Sequence, residues 1–279
     1  MNTFPDTDGI GYIETDQSPA SVYNAIISTL NDNENIGIVA EINHSENAEN
    51  IGLSLDFTRT VYFGNPKLGT PIMQNNIKAG LDLPQRITVY TEEDGDTVVA
   101  YNSVNYLVKR YNLGNISTTE MIENALTNIV NSATNKDAIL NAVTPRQGNG
   151  IISVASENDF NTTYNLIVET INKLEKVSVM AELDHQANAQ SASLTLTPAK
   201  LIIFGNPALG TPLMSESKTI ALDLPQKLLI YEESNGDVII IYNDPFYLAD
   251  RHNVNDHNDT LDMISQTLRN ISASGASSE

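Results

Sequence analysis

One duplication constrains this chain more than any other feature. The run Phe63-Gly64-Asn65-Pro66-Lys67-Leu68-Gly69-Thr70-Pro71-Ile72-Met73 returns as Phe204-Gly205-Asn206-Pro207-Ala208-Leu209-Gly210-Thr211-Pro212-Leu213-Met214, 141 residues later. The same offset aligns Leu81-Asp82-Leu83-Pro84-Gln85 with Leu222-Asp223-Leu224-Pro225-Gln226, and Glu41 and His44 with Glu182 and His185. Roughly 39 of 105 positions agree without a gap, which is repetition at domain length rather than a short solenoid unit. The chain therefore divides into a leading segment 1–8, a first repeat 9–133, a connecting stretch 134–149 and a second repeat 150–279. A unit of about 130 residues is large enough to bury its own core.

Read in parallel, the two copies give one order of elements. Residues 10–15 and 151–156 form a first strand, and residues 18–30 and 159–174 a helix. Tyr23, Ile26, Ile27 and Leu30 in one copy, and Tyr164, Ile167, Val168 and Ile171 in the other, fall on one helical face. Ser18 and Asp159 suit the N-cap, and Pro19 the first helical turn. The β-branched runs 36–42 and 177–183 form a second strand, and 60–63 and 201–204 a third that enters Gly-Asn-Pro. Asn65-Pro66 and Asn206-Pro207 then start a short irregular helix or tight loop. Residues 86–90 and 97–101 form a hairpin through Asp94-Gly95, as 227–231 and 238–242 do through Asn235-Gly236, a signal for a turn with two positive-φ residues. A short helix and a longer amphipathic one close each copy, the latter at an offset of 142. In the second copy the run 238–241 is apolar on both faces, which predicts a strand covered on both sides. The connecting stretch holds Pro145 and a helical turn over 138–142. The fold class is α+β: two repeated domains, each one antiparallel sheet with two main helices on one side.

Fifteen Lys and Arg stand against thirty-five Asp and Glu, a net charge of −20. A surface this acidic opposes nucleic acid and anionic lipid, since binding either requires clustered bases. No apolar run is long enough to span a bilayer. The absence of cysteine removes disulfides, thiolate nucleophiles and cysteine metal sites. The first residues, Met1 to Asp6, contain no basic or apolar segment and so no visible signal peptide. This fits a cytoplasmic protein or an exported one whose signal has been removed.

The long motifs point to a family. Asp184-His185, residues 204–214, Leu222-Asp223-Leu224-Pro225, Tyr242-Asn243-Asp244-Pro245, Tyr247-Leu248 and Arg251-His252 together resemble the domain-of-unknown-function family 302. The first copy carries the pattern with departures: Asn43 before its histidine, Ser103-Val104 in place of Asp-Pro, and Tyr111 in place of the last histidine. The resemblance implies a fold similar to that of the TATA-box-binding protein, a curved antiparallel sheet with two helices. Because single-domain members look like homodimers, it also implies that the tandem chain is a built-in pseudo-dimer. It supplies no activity.

The candidate site residues are the polar groups shared by both copies or adjoining their histidines. His44 and His185 each follow a glutamate by three residues, Glu41 and Glu182, and Asp184 adjoins the second. An imidazole beside a carboxylate can act as a base or a metal ligand. If the pseudo-twofold brought them together, His44, His185 and Glu182, with Glu41, would offer a nitrogen/oxygen metal site. The structural alternative is a histidine bonded to the loop after it. Asn65 and Asn206 head Gly-rich turns that can present backbone N–H groups to a ligand, or simply cap helices. Asp82 and Asp223 are placed to pair with Arg110 and Arg251, and Tyr247, with Tyr106, offers an aromatic body with a polar end. His252 and His257 are read as surface residues. Function reduces to three classes. The first is a non-enzymatic small-molecule or metal-ion binding module, with a cleft near the histidines and the Gly-Asn-Pro turns. The second is an enzyme with a His/Glu/Asp site in the second repeat. The third is a structural or assembly protein. A binding site predicts that His185, Asp184 and Arg251 or Tyr247 converge. No cofactor is specified.

Overall fold

The computed structural model describes residues 5–144 and 147–277, and in it each repeat builds one antiparallel sheet. The first repeat contributes β1 (Ile10–Thr15), α1 (Pro19–Asn31), β2 (Gly37–Asn43), α2 (His44–Glu49), β3 (Thr58–Gly64), α3 (Pro66–Asn75), β4 (Gln85–Thr91), β5 (Thr97–Asn102), α4 (Val104–Tyr111), α5 (Ser117–Thr134) and the two-residue β6 (Ile139–Leu140). The second contributes β7 (Ile151–Ser156), α6 (Phe160–Lys173), β8 (Ser178–Asp184), α7 (His185–Ser191), β9 (Ala199–Gly205), α8 (Pro207–Glu216), β10 (Gln226–Glu232), β11 (Val238–Asn243), α9 (Pro245–Arg251) and α10 (Asn258–Ala276). Strand order is β2-β3-β4-β5-β1-β6 in one sheet and β7-β11-β10-β9-β8 in the other. Between α3 and β4, and between α8 and β10, lie 3-10 turns, Ile77–Leu81 and Lys218–Leu222.

Local chemistry accounts for most boundaries. Asn65 and Asn206 accept from the backbone N–H of Lys67 and Ala208 at 3.0 Å, and a proline follows each at the first helical position. Both helices run on through Pro71 and Pro212, so this motif is a ten-residue helix rather than a loop. The hairpins differ from the expected two-residue turn. Only Gly95 (φ 94°) and Gly236 (φ 91°) are left-handed, and Glu92 N–H reaches the Asp96 carbonyl. This makes three-residue loops with the glycine in the left-handed position. The expected helical turn over 138–142 is instead strand β6, which pairs with the edge of β1 (Gly11↔Leu140, Tyr12↔Ile139). Pro145 and Met1 to Phe4, also read in the sequence, lie outside the described residues.

Each sheet buries one face under its own helices. Tyr23, Ile26 and Leu30 of α1 and Ile122, Leu126 and Ile129 of α5 meet Val61, Phe63, Ile87, Val89 and Val99. Ile167 and Ile171 of α6 and Ile264, Leu268 and Ile271 of α10 cover Ile202, Phe204, Leu228, Ile230 and Ile240. The other face of each sheet meets the opposite repeat. Leu81, at the end of the first 3-10 turn, packs among Leu201, Ile203, Leu229, Tyr231 and Ile241, and Leu222 packs among Tyr12, Tyr90, Val98 and Ala100. The apolar pattern of β11 on both faces is explained by this double cover.

Between the sheets lies a buried ionic cluster. Arg110 reaches Asp82 at 2.7 Å and Arg251 reaches Asp223 at 2.6 Å within their own repeats. Arg86 bridges both carboxylates and also donates to the Leu222 carbonyl, and Lys227 lies 3.8 Å from Asp82 and 3.4 Å from Asp223. Arg110 donates across the interface to Asn243 and Arg251 to Asn102, both at 2.7 Å. Each guanidinium also sits over a tyrosine of the other repeat, Arg110 at 5.0 Å from Tyr247 and Arg251 at 3.8 Å from Tyr106. The two tyrosine hydroxyls meet at 3.1 Å. Thr7 and Asp8, from the leading segment, also join the interface, Thr7 through Thr219 and Asp8 by accepting from Arg251.

His252 is a correction to the sequence reading. It is fully buried, 2.9 Å from Asp223 and 3.0 Å from Thr219. Its counterpart Tyr111 donates to Asp82 at 2.7 Å, so the two differing residues satisfy equivalent carboxylates. His257 is only partly buried and lies 3.6 Å from Glu216.

Gly9 and Gly150 have φ of 70° and 64°, and an added Cβ would lie 2.7 Å and 2.0 Å from the rings of Tyr106 and Tyr247. Gly150→Ala should therefore cost about 2–4 kcal/mol through backbone strain and overpacking, measured by calorimetry. Gly95→Ala, at φ 94° in open space, should cost about 1 kcal/mol. Burial lowers His44, His185 and His252 from 6.5 to about 4. Unfolded imidazoles take up protons as pH falls through 6.5 while the folded ones do not, so stability is full above that value and declines toward pH 4. The loss is roughly 3 kcal/mol per imidazole. Below about pH 4 the depressed Asp82 and Asp223 add to it, held low against their burial by Arg110, Arg86, Arg251 and Lys227. Urea midpoints should fall steadily between pH 7 and pH 4, and a flat profile between pH 6.5 and pH 5 would show the imidazoles to be open to solvent.

Candidate functional site

The docking that forms the ionic cluster also carries the His-bearing helices across the interface. Helix α2 packs against α8, and α7 against α3. Each contact closes one end of a pocket whose remaining wall belongs to the other repeat. The pocket of the first repeat has a volume of about 480 Å³ and contains Phe63, Asn65, Leu68, Thr70, Met73, Leu83, Pro84, Gln85, Ile122, Ala125 and Leu126, with His185 and Asn188 entering from α7. The pocket of the second repeat, about 190 Å³, contains the equivalent Phe204, Asn206, Leu209, Thr211, Met214, Leu224, Pro225, Gln226, Ile264, Thr267 and Leu268, with His44 and Asn47 entering from α2. The β-bulges in β2 and β8 fall at Val39 and Met180, and each residue lines the pocket of its own repeat.

Hydrogen bonds hold each imidazole. His185 Nε2 lies 3.2 Å from the Gly80 carbonyl, which can only accept, so Nε2 carries the proton. In the neutral ring the His185 Nδ1 then holds a lone pair. Thr60 Oγ1 lies 2.8 Å from Thr88 Oγ1, 3.2 Å from the Ala221 carbonyl and 3.3 Å from His44 Nε2, so it joins that imidazole to the first sheet and to the opposite repeat. Burial lowers both histidines to about 4, partly opposed at His185 by Gly80 and Asp184, so both are neutral near pH 7. The pockets also contain polar atoms without protein partners: Thr70 Oγ1 and Gln85 Nε2 in the first, Thr211 Oγ1 in the second, all buried. Such atoms are costly unless something satisfies them.

The other candidates lie elsewhere. Glu41 is exposed and accepts from Tyr23 at 3.0 Å, away from His44. Glu182 lines the first pocket with His185 but at its exposed rim. Asp184 turns back to cap α7 (Ala187 N–H at 2.8 Å) and lies 3.7 Å from Lys200. Arg110, Arg251, Asp223 and Tyr247 belong to the interface cluster. The expected convergence of His185, Asp184 and Arg251 or Tyr247 therefore does not occur, because cap formation holds the aspartate and Asp223 holds the arginine. The pseudo-twofold places His44 and His185 in different pockets rather than at one metal site. Among the described residues no group of three or more His, Cys, Asp or Glu is arranged to hold a metal ion. Neither histidine bonds to the loop that follows it. Each begins a helix.

Sequence reasoning passed over Thr70, Thr211, Gln85 and Gln226 as pocket groups and Arg86 and Lys227 as cluster members. The threonines and glutamines could have been found, because they are identical in both copies. The last helix of each repeat, which supplies one pocket wall, carries the same mark at an offset of 142, Ile122 and Leu126 returning as Ile264 and Leu268.

Comparison with known proteins agrees with the duplicated architecture. The profile of the family described as Domain of unknown function DUF302 matches residues 12–133 and again 152–271. The Fluoride-specific ion channel FluC 1 of Brucella suis biovar 1 is 39% identical over 105 residues, 38% of this chain and 41% of that protein. Fluoride-specific ion channel FluC 2 of Brucella melitensis biotype 1 is also 39% identical over 105 residues, 38% of each chain. This chain thus spans about two fifths of the curated relatives it matches. A solved structure of an uncharacterized conserved DUF302 protein from Bacillus stearothermophilus aligns with a TM-score of 0.41 and 21% identity, covering 45% of this chain and 98% of that one. With both of its repeats matched, this chain belongs to the DUF302 family and carries that domain in tandem.

Proposed function

We propose that the protein is a non-enzymatic binding module for small, uncharged and largely apolar molecules, held in the paired pockets. One observation carries this reading. Each pocket joins an apolar wall and a buried, unpartnered threonine hydroxyl of one repeat to a neutral imidazole of the other. A mostly apolar cavity with a few convergent polar groups is the usual form of a small-molecule site. Neither pocket is lined by Lys or Arg, and the chain carries a net charge of −20, which disfavours an anionic ligand.

Binding is favoured over catalysis because neither pocket imidazole is hydrogen-bonded to a carboxylate that could orient it as a base. The His–Asp pair that exists, His252 with Asp223, is sealed inside the interface. The channel activity named for the Brucella relatives is not carried over. The likeness covers about two fifths of those proteins, and among the described residues no helix is long and apolar enough to cross a membrane.

Native mass spectrometry of the protein purified from its own host should show a retained organic molecule. His185→Ala and the near-isosteric Thr70→Val should each lower its occupancy at least tenfold while circular dichroism stays unchanged. Full occupancy in both variants would remove the first-repeat pocket from the site, and a retained metal ion in place of an organic mass would overturn the reading.

A further inference from the structure

The two pockets share much of their chemistry but not their size, and three pairs of equivalent lining residues differ in bulk or polarity. Asn33, Val39 and Ala125 line the 480 Å³ pocket. At the matching positions Leu174, Met180 and Thr267 line the 190 Å³ pocket. Each second-repeat residue brings a larger or more apolar side chain toward the same space, from the end of the first helix, the bulge of the second strand and the face of the last helix. The surrounding Phe, Leu, Met, Pro and Gln residues are identical in kind on both sides. A dry apolar cavity of about 150 Å³ accommodates a single benzene ring, whereas drug-sized ligands occupy roughly 300–1,000 Å³.

We propose that the two sites have diverged in selectivity: the first-repeat pocket takes a neutral, apolar molecule of two or more rings, and Leu174, Met180 and Thr267 close the second-repeat pocket to it. This rests on the binding reading above and adds a size class and the residues that set it. Neutrality follows from the lining. Glu182 at the rim of the larger pocket is its one lining charge among the described residues, and His185 is uncharged near pH 7. An anionic group would meet a carboxylate and no cation. The larger pocket is also composite: its imidazole comes from the second repeat, so a single repeat could not form it.

The test uses N-phenyl-1-naphthylamine, a neutral fluorescent probe, and 8-anilinonaphthalene-1-sulfonate, a similar body with a negative charge, on the full chain. The neutral probe should bind one per chain, at least tenfold more tightly than the sulfonate, with stoichiometry taken from calorimetry. Transplanting the second-repeat residues into the first (Asn33→Leu, Val39→Met, Ala125→Thr) should abolish that binding. The reverse transplant (Leu174→Asn, Met180→Val, Thr267→Ala) should raise the stoichiometry to two. Each residue is native to the equivalent backbone position, and thermal unfolding checks that both variants fold. Two equal sites in the unaltered protein, or an unchanged stoichiometry in the reverse transplant, would overturn the size assignment. Equal affinity for both probes would overturn the charge assignment. Absence of probe binding to the unaltered protein also overturns the proposal. The binding reading is judged separately, by whether protein from its own host retains an organic molecule.

Discussion

The arrangement depends on two buried carboxylates, Asp82 and Asp223, and the cations they collect. Arg86, Arg110, Arg251 and Lys227 surround them, so four basic groups meet two acids out of contact with water. The remaining positive charge is spread over carbonyls of Asp8, Asp82, Asn149 and Leu222, the amide oxygens of Asn102 and Asn243, and the faces of Tyr106 and Tyr247. Burial and the neighbouring Arg86 also lower Lys227 to about 8. Desolvating such a cluster is expensive, and a shifted interface would leave charges unpaired at a cost of several kcal/mol. The cluster is thus better understood as setting one relative placement of the repeats than as a source of net stability.

That placement determines where the pockets form. With the carboxylates at the centre, the 3-10 turns that precede them lie on the opposite sheets through Leu81 and Leu222. The short helices after β2 and β8 then fall against the Gly-Asn-Pro helices of the other repeat, and each histidine arrives in a pocket it does not otherwise belong to. The hydrogen bonds of Thr60 to Ala221 and His185 to Gly80 tie each imidazole to the 3-10 turn region at the centre. Pocket geometry is consequently coupled to the ionic cluster through a few residues of backbone.

The two halves have drifted in different ways in these two places. In the cluster, replacements keep the interaction: Tyr111 and His252 both donate to a carboxylate, and Arg86 and Lys227 both supply a cation. In the pockets, the histidine, threonine and glutamine are kept while the wall changes bulk or polarity at Asn33/Leu174, Val39/Met180 and Ala125/Thr267. A buried charge tolerates little change in its partners, whereas an apolar wall can gain or lose methylenes at a modest cost.

Much of the fold was legible because it is local. The caps at Asn65 and Asn206, the helical faces of Tyr23-Ile26-Leu30 and Ile167-Ile171, and the glycines of the hairpins are set by interactions within a few residues, and the duplication shows each of them twice. The Asp–Arg pairing was also within reach, since Asp82 and Arg110 return at equivalent positions as Asp223 and Arg251. The sequence by itself thus determined two α+β units, their element order and the residues too constrained to vary. Only the tertiary structure decided which groups share a space. His185 meets Gly80 across 105 positions of chain, Arg110 meets Asn243 across 133, and His252 is buried although its surroundings in sequence are polar. Those contacts depend on how one repeat docks on the other, and no periodicity within a repeat encodes the surface that its partner presents.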